Sequence, residues 1–231
     1  MDIGYNTILK YLCDDENNQS SFSTKKNIMV SSENFPEKFS NLFNECKEKF
    51  FRYGITRLNS KNTNISFLIS ILTLLDKKFI SFDNDEEEKY INTFMEQLKL
   101  EVKKKSFKFE LEYKFSKEVL IDRIMNNNFS DGILIQLIVQ ILDINILIFD
   151  FKNSNLYSTF SGDYLNPWKV TVMLGKEENE WEPIFSDVKK FSFNDNIIKN
   201  ILTNEEIIYF NESFLNKYYS LLDNIDEIKD K

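Results

Sequence analysis

Residues 130–151 read SDGILIQLIVQILDINILIFDF, and the apolar period changes in the middle of them. Between Ile133 and Leu142 only Gln136 and Gln140 interrupt the aliphatic run. The two glutamines stand one helical turn apart. The spacing therefore predicts a helix over 131–142 that is apolar around most of its circumference and lies inside the domain. Ser130, Asp131 and Gly132 supply the polar turn that opens it. After Asp143 the apolar residues alternate, and INILIFDF at 144–151 reads as a strand. A buried helix feeding straight into a strand is the unit around which the rest of the chain is arranged.

Downstream, NLYSTF at 155–160, WKVTVML at 168–174 and EWEPIFS at 180–186 continue as strands, separated by the turn-like KNS, SGDYLNP and GKEEN. Upstream the period is helical. Phe39, Phe43, Cys46 and Phe50 predict one amphipathic helix over 37–51. NTNISFLISILTLL at 62–75 predicts a second buried helix, with Asn62, Thr63 and Asn64 as capping side chains. The acidic DNDEEE at 83–88 opens a third helix, where the macrodipole favours negative charge, and Ile91, Phe94, Met95, Leu98 and Val102 carry its apolar stripe. SFKFELEYKF at 106–115 alternates and reads either as a strand or as an extended linker, and KEVLIDRIM at 117–125 is a short helix. Phe214, Tyr218, Leu221, Ile225 and Ile228 predict a C-terminal amphipathic helix. Residues 1–35 form a polar arm, and 36–231 form one domain. The class expected is α+β, a small central sheet flanked by helices.

Composition narrows the chemistry. The net charge of −8 opposes binding to a phosphate backbone, and the only basic run, Lys103–Lys105, reads as a solvated helix end. The chain contains no histidine. Ser-His-Asp, Cys-His and His-metal sites are therefore excluded, because each needs an imidazole as base or ligand. Cys13 and Cys46 are too few for a cysteine-rich metal site and read as reduced thiols. The acidic run at 83–88 lacks the spaced oxygen ligands and glycine of a calcium loop. No metal or cofactor is expected. No stretch is apolar for long enough to span a bilayer, and no signal-like segment opens the chain. An intracellular, cytoplasmic protein is the expectation. The chain has no alanine and is rich in Phe, Asn, Lys, Ile and Tyr, a pattern of A+T-biased coding that suits a large DNA virus or a protist.

Three segments stand in a telling order: NTNISFLISIL at 62–72, the 130–151 unit, and NEWEPI at 179–184. Their arrangement resembles the ovarian-tumour (OTU) family of cysteine proteases, which share a papain-type fold and are mostly deubiquitinases. In that family a cysteine nucleophile begins a buried helix in a pattern like DGNCLFRSI, and a strand with Asn-His-Tyr-x-x-Ile supplies the histidine. The resemblance runs over roughly residues 50–186. It lays Ser66, Phe67, Leu68, Ile69, Ser70 and Ile71 on Cys-Leu-Phe-Arg-Ser-Ile, so Ser66 stands at the nucleophile. Thr63, Asn64 and Ile65 replace the Asp-Gly-Asn turn. Asn179 matches, Glu180 stands where the histidine belongs, and Trp181 replaces the aromatic.

An OTU protease attacks with a thiolate whose pKa is depressed by an imidazolium. Ser66 has a hydroxyl and no such base, and Glu180 is a poor substitute. The resemblance therefore implies a degenerate, catalytically inactive member acting as an interaction or assembly module. Its partners would be proteins, either subunits of a larger assembly such as a viral particle or a ubiquitin-like protein. Asn64, Asn179, Trp181 and Glu182 are its candidate binding surface. The alternative is a divergent deubiquitinase or peptidase using unconventional residues, for which a Ser66–Lys61 dyad is one form. Cys46, on the apolar face with Phe39, Phe43 and Phe50, reads as a small buried hydrophobe.

Overall fold

The computed structural model describes residues 29–31, 35–46, 49–53, 65–76, 78–108, 115–126, 132–159, 169–178, 180–186, 191–192, 195–204 and 207–209. Their order is β1 (Met29–Ser31), α1 (Glu37–Asn44), β2 (Phe50–Tyr53), α2 (Ser66–Leu75), a 3-10 turn (Phe79–Ser81), α3 (Asn84–Lys103), α4 (Lys117–Met125) and α5 (Gly132–Leu142). There follow β3 (Asn145–Asp150), β4 (Asn155–Ser158), β5 (Val170–Glu177), β6 (Glu180–Ser186), β7 (Phe191–Ser192), α6 (Asn196–Asn204) and β8 (Ile207–Tyr209).

The 130–151 segment folds as its two periods require. Helix α5 is buried along nearly its whole length, and β3 is buried at every position. The switch between them is made at Asp143, whose φ of 54° lies in the left-handed region that ends a helix. Lys169, just ahead of β5, holds that turn by an ion pair to the Asp143 carboxylate at 2.6 Å.

Strand β3 lies inside the sheet because its alternate side chains feed two separate cores. Ile146 and Ile148 join α2, α3, α4 and α5 on one face. Leu147 and Phe149 join α1 and α6 on the other. Strand β5 divides in the same way, with Val172 and Leu174 on the first face and Met173 on the second. The result is a mixed sheet with helices on both sides.

The sheet is larger than the small one expected. Among the described residues eight strands form it, in the order β1-β2-β6-β5-β3-β4-β8, with β7 paired to the start of β5. The β3–β5 and β4–β8 pairs are parallel and the rest antiparallel. Strand β1 lies within the segment expected to be a polar arm, and it pairs with β2 from Met29↔Tyr53 to Ser31↔Phe51.

The helix expected over 37–51 is also corrected. It stops at Asn44, and Phe50 opens β2. Phe39, Phe43 and Phe50 nevertheless share one core, with the Phe43 and Phe50 rings stacked at 4.6 Å. The apolar spacing reported a common face, and a helix followed by a strand satisfies it as well as one helix does.

Elsewhere the expected elements form. Helix α4 covers 117–125 and β6 covers 180–186. The acidic start of α3 is a capping box: Asp83 accepts from the amides of Asp85 and Glu86, and Glu86 accepts from the amide of Asp83. The segment at 109–114 and the helix expected over 214–228 lie outside the described residues.

Candidate functional site

Ser66 is the first residue of α2, and it is fully buried. No side chain caps this helix from position 65, where Ile65 stands. The Ser66 hydroxyl turns to the sheet, where it accepts the backbone N–H of Trp181 at 3.0 Å. The ring of Phe67 meets the Trp181 indole edge to face at 5.0 Å, as aromatic quadrupoles prefer. Two aromatic rings and one hydrogen bond thus tie the start of α2 to β6. Asn62, Thr63, Asn64 and Lys61 lie outside the described residues, as do Cys13 and Asn179.

The pleat separates the two residues that the motif placed side by side. Trp181 pairs across the hairpin with Lys176, and the Lys176 ammonium lies 5.7 Å from the indole centroid on the α2 face. Glu180 pairs with Glu177, whose carboxylate approaches Arg52 on the other face. Successive strand side chains point to opposite faces. The strand therefore presents Trp181, and not Glu180, to Ser66.

The candidate binding surface is changed in the same way. Trp181 is only 3 % exposed because it packs against α2. Glu182 is turned to the opposite face, where its carboxylate accepts from Arg52 Nε at 2.5 Å. Among the described residues the Trp181 indole N–H and the Ser70 hydroxyl have no hydrogen-bond partner, and both are buried. Cys46 is half-buried against the α1 core, and its thiol donates to the Leu42 carbonyl at 3.4 Å.

Arg52, which no sequence motif singled out, organises the second face. Its guanidinium lies 4.2 Å from the Phe151 ring centroid and 5.8 Å from that of Phe35. Besides the bond to Glu182, its terminal nitrogen stands 3.6 Å from Glu177. Gly175, opposite Glu182 on β5, makes room for this stack. A Cβ there would lie 2.6 Å from Phe151 Cζ and 2.9 Å from Glu182 Cγ. Burial pushes the Glu182 carboxyl above its ordinary pKa, Glu177 adds to that, and Arg52 opposes it. FFRY at 50–53 shows no polar–apolar alternation, so the sequence carried no signal for Arg52.

The described contacts of Ser66 and Phe67 fasten α2 to β6. The hydroxyl has a backbone amide for a donor, the chain has no imidazole, and Glu180 and Glu182 belong to the far face of the sheet. Among the described residues no group of three or more His, Cys, Asp or Glu side chains is placed to hold a metal ion. No described helix is long and apolar enough to cross a membrane.

No family model matches the chain, and no curated protein matches it. A solved structure of an ovarian-tumour (OTU) domain in complex with ubiquitin is similar to it. That likeness has a TM-score of 0.44 and 13 % identity, and it covers 68 % of this chain and 83 % of the other.

Proposed function

We propose that this chain is a non-catalytic OTU-like domain that works by binding protein, as an interaction or assembly module. The observation that carries the reading is Ser66. At the position where the sequence motif puts a nucleophile stands a fully buried hydroxyl, occupied by the amide of Trp181. Attack on a carbonyl requires a nucleophile that meets its substrate and a base that takes its proton. The burial of this hydroxyl and the absence of histidine from the chain support a reading without that chemistry.

The partner in this reading is a ubiquitin-like protein or a subunit of a larger assembly. The order of the three motifs along this chain, which resembles that of the OTU family, motivates the first. The A+T-biased composition motivates the second, as a virion component.

The decisive experiment treats the full chain with ubiquitin vinyl sulfone and, separately, with linked di-ubiquitins, and titrates it with free ubiquitin by NMR. The expected result is no adduct and no cleavage. A covalent adduct at Cys13 or Cys46, or turnover that is lost in Ser66→Ala, overturns the reading. Shifted ubiquitin resonances select the ubiquitin-like partner, and unshifted ones select the assembly role.

A further inference from the structure

Lys99 of α3 is a lysine that the fold covers. Its side chain is 11 % exposed, where a lysine ordinarily keeps its charged head in water. The ammonium donates to two side chains. One is the Glu96 carboxylate, one turn back on the same helix. The other is the sulfur of Met125, the last residue of α4, at 3.0 Å. Helices α3 and α4 share one core, through Leu98 and Val102 on the first and Leu120 and Ile124 on the second. The Lys99–Met125 contact therefore joins two packed helices at their rim. The ammonium suits this place, because the macrodipole favours positive charge at a helix C-terminus. The thioether suits it less, being only a weak acceptor.

Met125 is also the most exposed large apolar side chain among the described residues, at 56 %. Met173 is buried within the sheet, and Met95 is half-buried against the core of α2 to α5. An oxidant in solution therefore meets the Met125 sulfur before those two. Oxidation of a buried methionine puts a polar group among apolar neighbours and disrupts their packing. A side chain as open as Met125 carries little of that cost, and a covered ammonium stands beside its sulfur.

We propose that Met125 is a site of reversible oxidation by peroxide, and that Lys99 captures the resulting sulfoxide and fastens the end of α4 to α3. A sulfur lone pair attacks one peroxide oxygen, an S–O bond forms and the O–O bond breaks. The sulfur is oxidised by two electrons. The peroxide is reduced, and its second oxygen leaves with both protons as water. The sulfoxide oxygen accepts a hydrogen bond far better than the thioether did, and from an ammonium that bond is charge-assisted, about twice as strong as a neutral one. Lysine has three N–H donors, so Glu96 keeps its own. Methionine sulfoxide reductases return the thioether and release the tie.

The test treats the full chain with hydrogen peroxide, restores its thiols with dithiothreitol, and maps the added oxygen by peptide mass spectrometry. Met125 should gain one oxygen ahead of Met95 and Met173. Amide hydrogen exchange then reads the tie: protection at 122–126, the end of α4, should rise severalfold on oxidation and return after reductase treatment. In Lys99→Leu, Met125 should still oxidise but protection should not rise. Oxidation of Met95 or Met173 first overturns the proposal. So does protection at 122–126 that is unchanged or lower in the oxidised wild type, or an equal rise in Lys99→Leu. If that variant fails to fold, Met125→Leu decides. Equal exchange at 122–126 in its treated and untreated samples supports the capture, and a rise in the treated sample overturns it.

Discussion

The hydroxyl of Ser66 accepts the backbone N–H of Trp181 at 3.0 Å, across 115 residues of chain. This bond makes the first turn of α2 and the strand β6 one rigid unit. It also uses the hydroxyl as an acceptor at a buried position.

Ser66→Ala leaves the Trp181 amide buried without that acceptor. An orphaned buried donor costs about 1–3 kcal/mol, so urea unfolding of this variant should give an unfolding free energy lower by that amount and a correspondingly lower midpoint. Ser66→Cys should fold, because a thiol is a weak acceptor of similar size. It should still fail to label with a ubiquitin vinyl sulfone probe, since no imidazole lowers its pKa. An adduct of the Ser66→Cys variant at its new thiol would contradict the burial of this position and the non-catalytic reading.

Trp181→Phe and Trp181→Ala should differ sharply. The indole N–H has no partner among the described residues, so phenylalanine forfeits no hydrogen bond there and keeps the edge-to-face contact with Phe67. Alanine leaves a cavity against α2, which costs about 3–5 kcal/mol for a buried tryptophan. Equal losses in the two variants would show that the N–H, and not the ring, holds this contact.

Gly175→Ala should be destabilising by about 1–3 kcal/mol, the usual cost of overpacking. The added methyl falls against the Phe151 ring and Glu182 Cγ. Combined with Phe151→Leu, the loss should be less than the sum of the two single losses, because the second change clears the space the first needs. Additive losses in the double-mutant cycle would place the strain elsewhere.

Tyr90 gives the fold an alkaline limit. Its hydroxyl donates to the buried Asp76 carboxylate at 2.6 Å, and Asp76 also accepts the Lys78 amide. Burial first, and then the Asp76 carboxylate, hold the Tyr90 phenol far above 10, its ordinary value. A phenol that stays protonated when folded contributes stability that is full below about pH 10 and falls as pH rises beyond it. Chemical denaturation from about pH 8 to about pH 11 should show that decline. Tyr90→Phe should lack this component, and at about pH 7 it should be less stable by about 1–3 kcal/mol because Asp76 loses a donor.

Elements are legible in the sequence wherever one period runs unbroken. The helix–strand unit at 130–151, α4 over 117–125 and β6 over 180–186 are all visible in the spacing of their apolar residues. Legibility fails where two elements share one core. Phe39, Phe43 and Phe50 keep helical spacing across a turn, so the strand at Phe50 was hidden inside an apparent helix. Strands β1 and β8 have three residues each, too few for a period to declare itself.

The sequence by itself determined that a buried helix begins near Ser66, that a strand carries EWEPI, and that no histidine serves either. It also determined that Glu180 and Trp181 face opposite ways, since a strand alternates. Only the tertiary structure decided which of them faces Ser66. That choice depends on which side of β6 receives α2, and the side follows from the packing of Phe67 on Trp181 and of Arg52 on Phe151. Those contacts join residues far apart in the chain, and local periodicity contains no term for them.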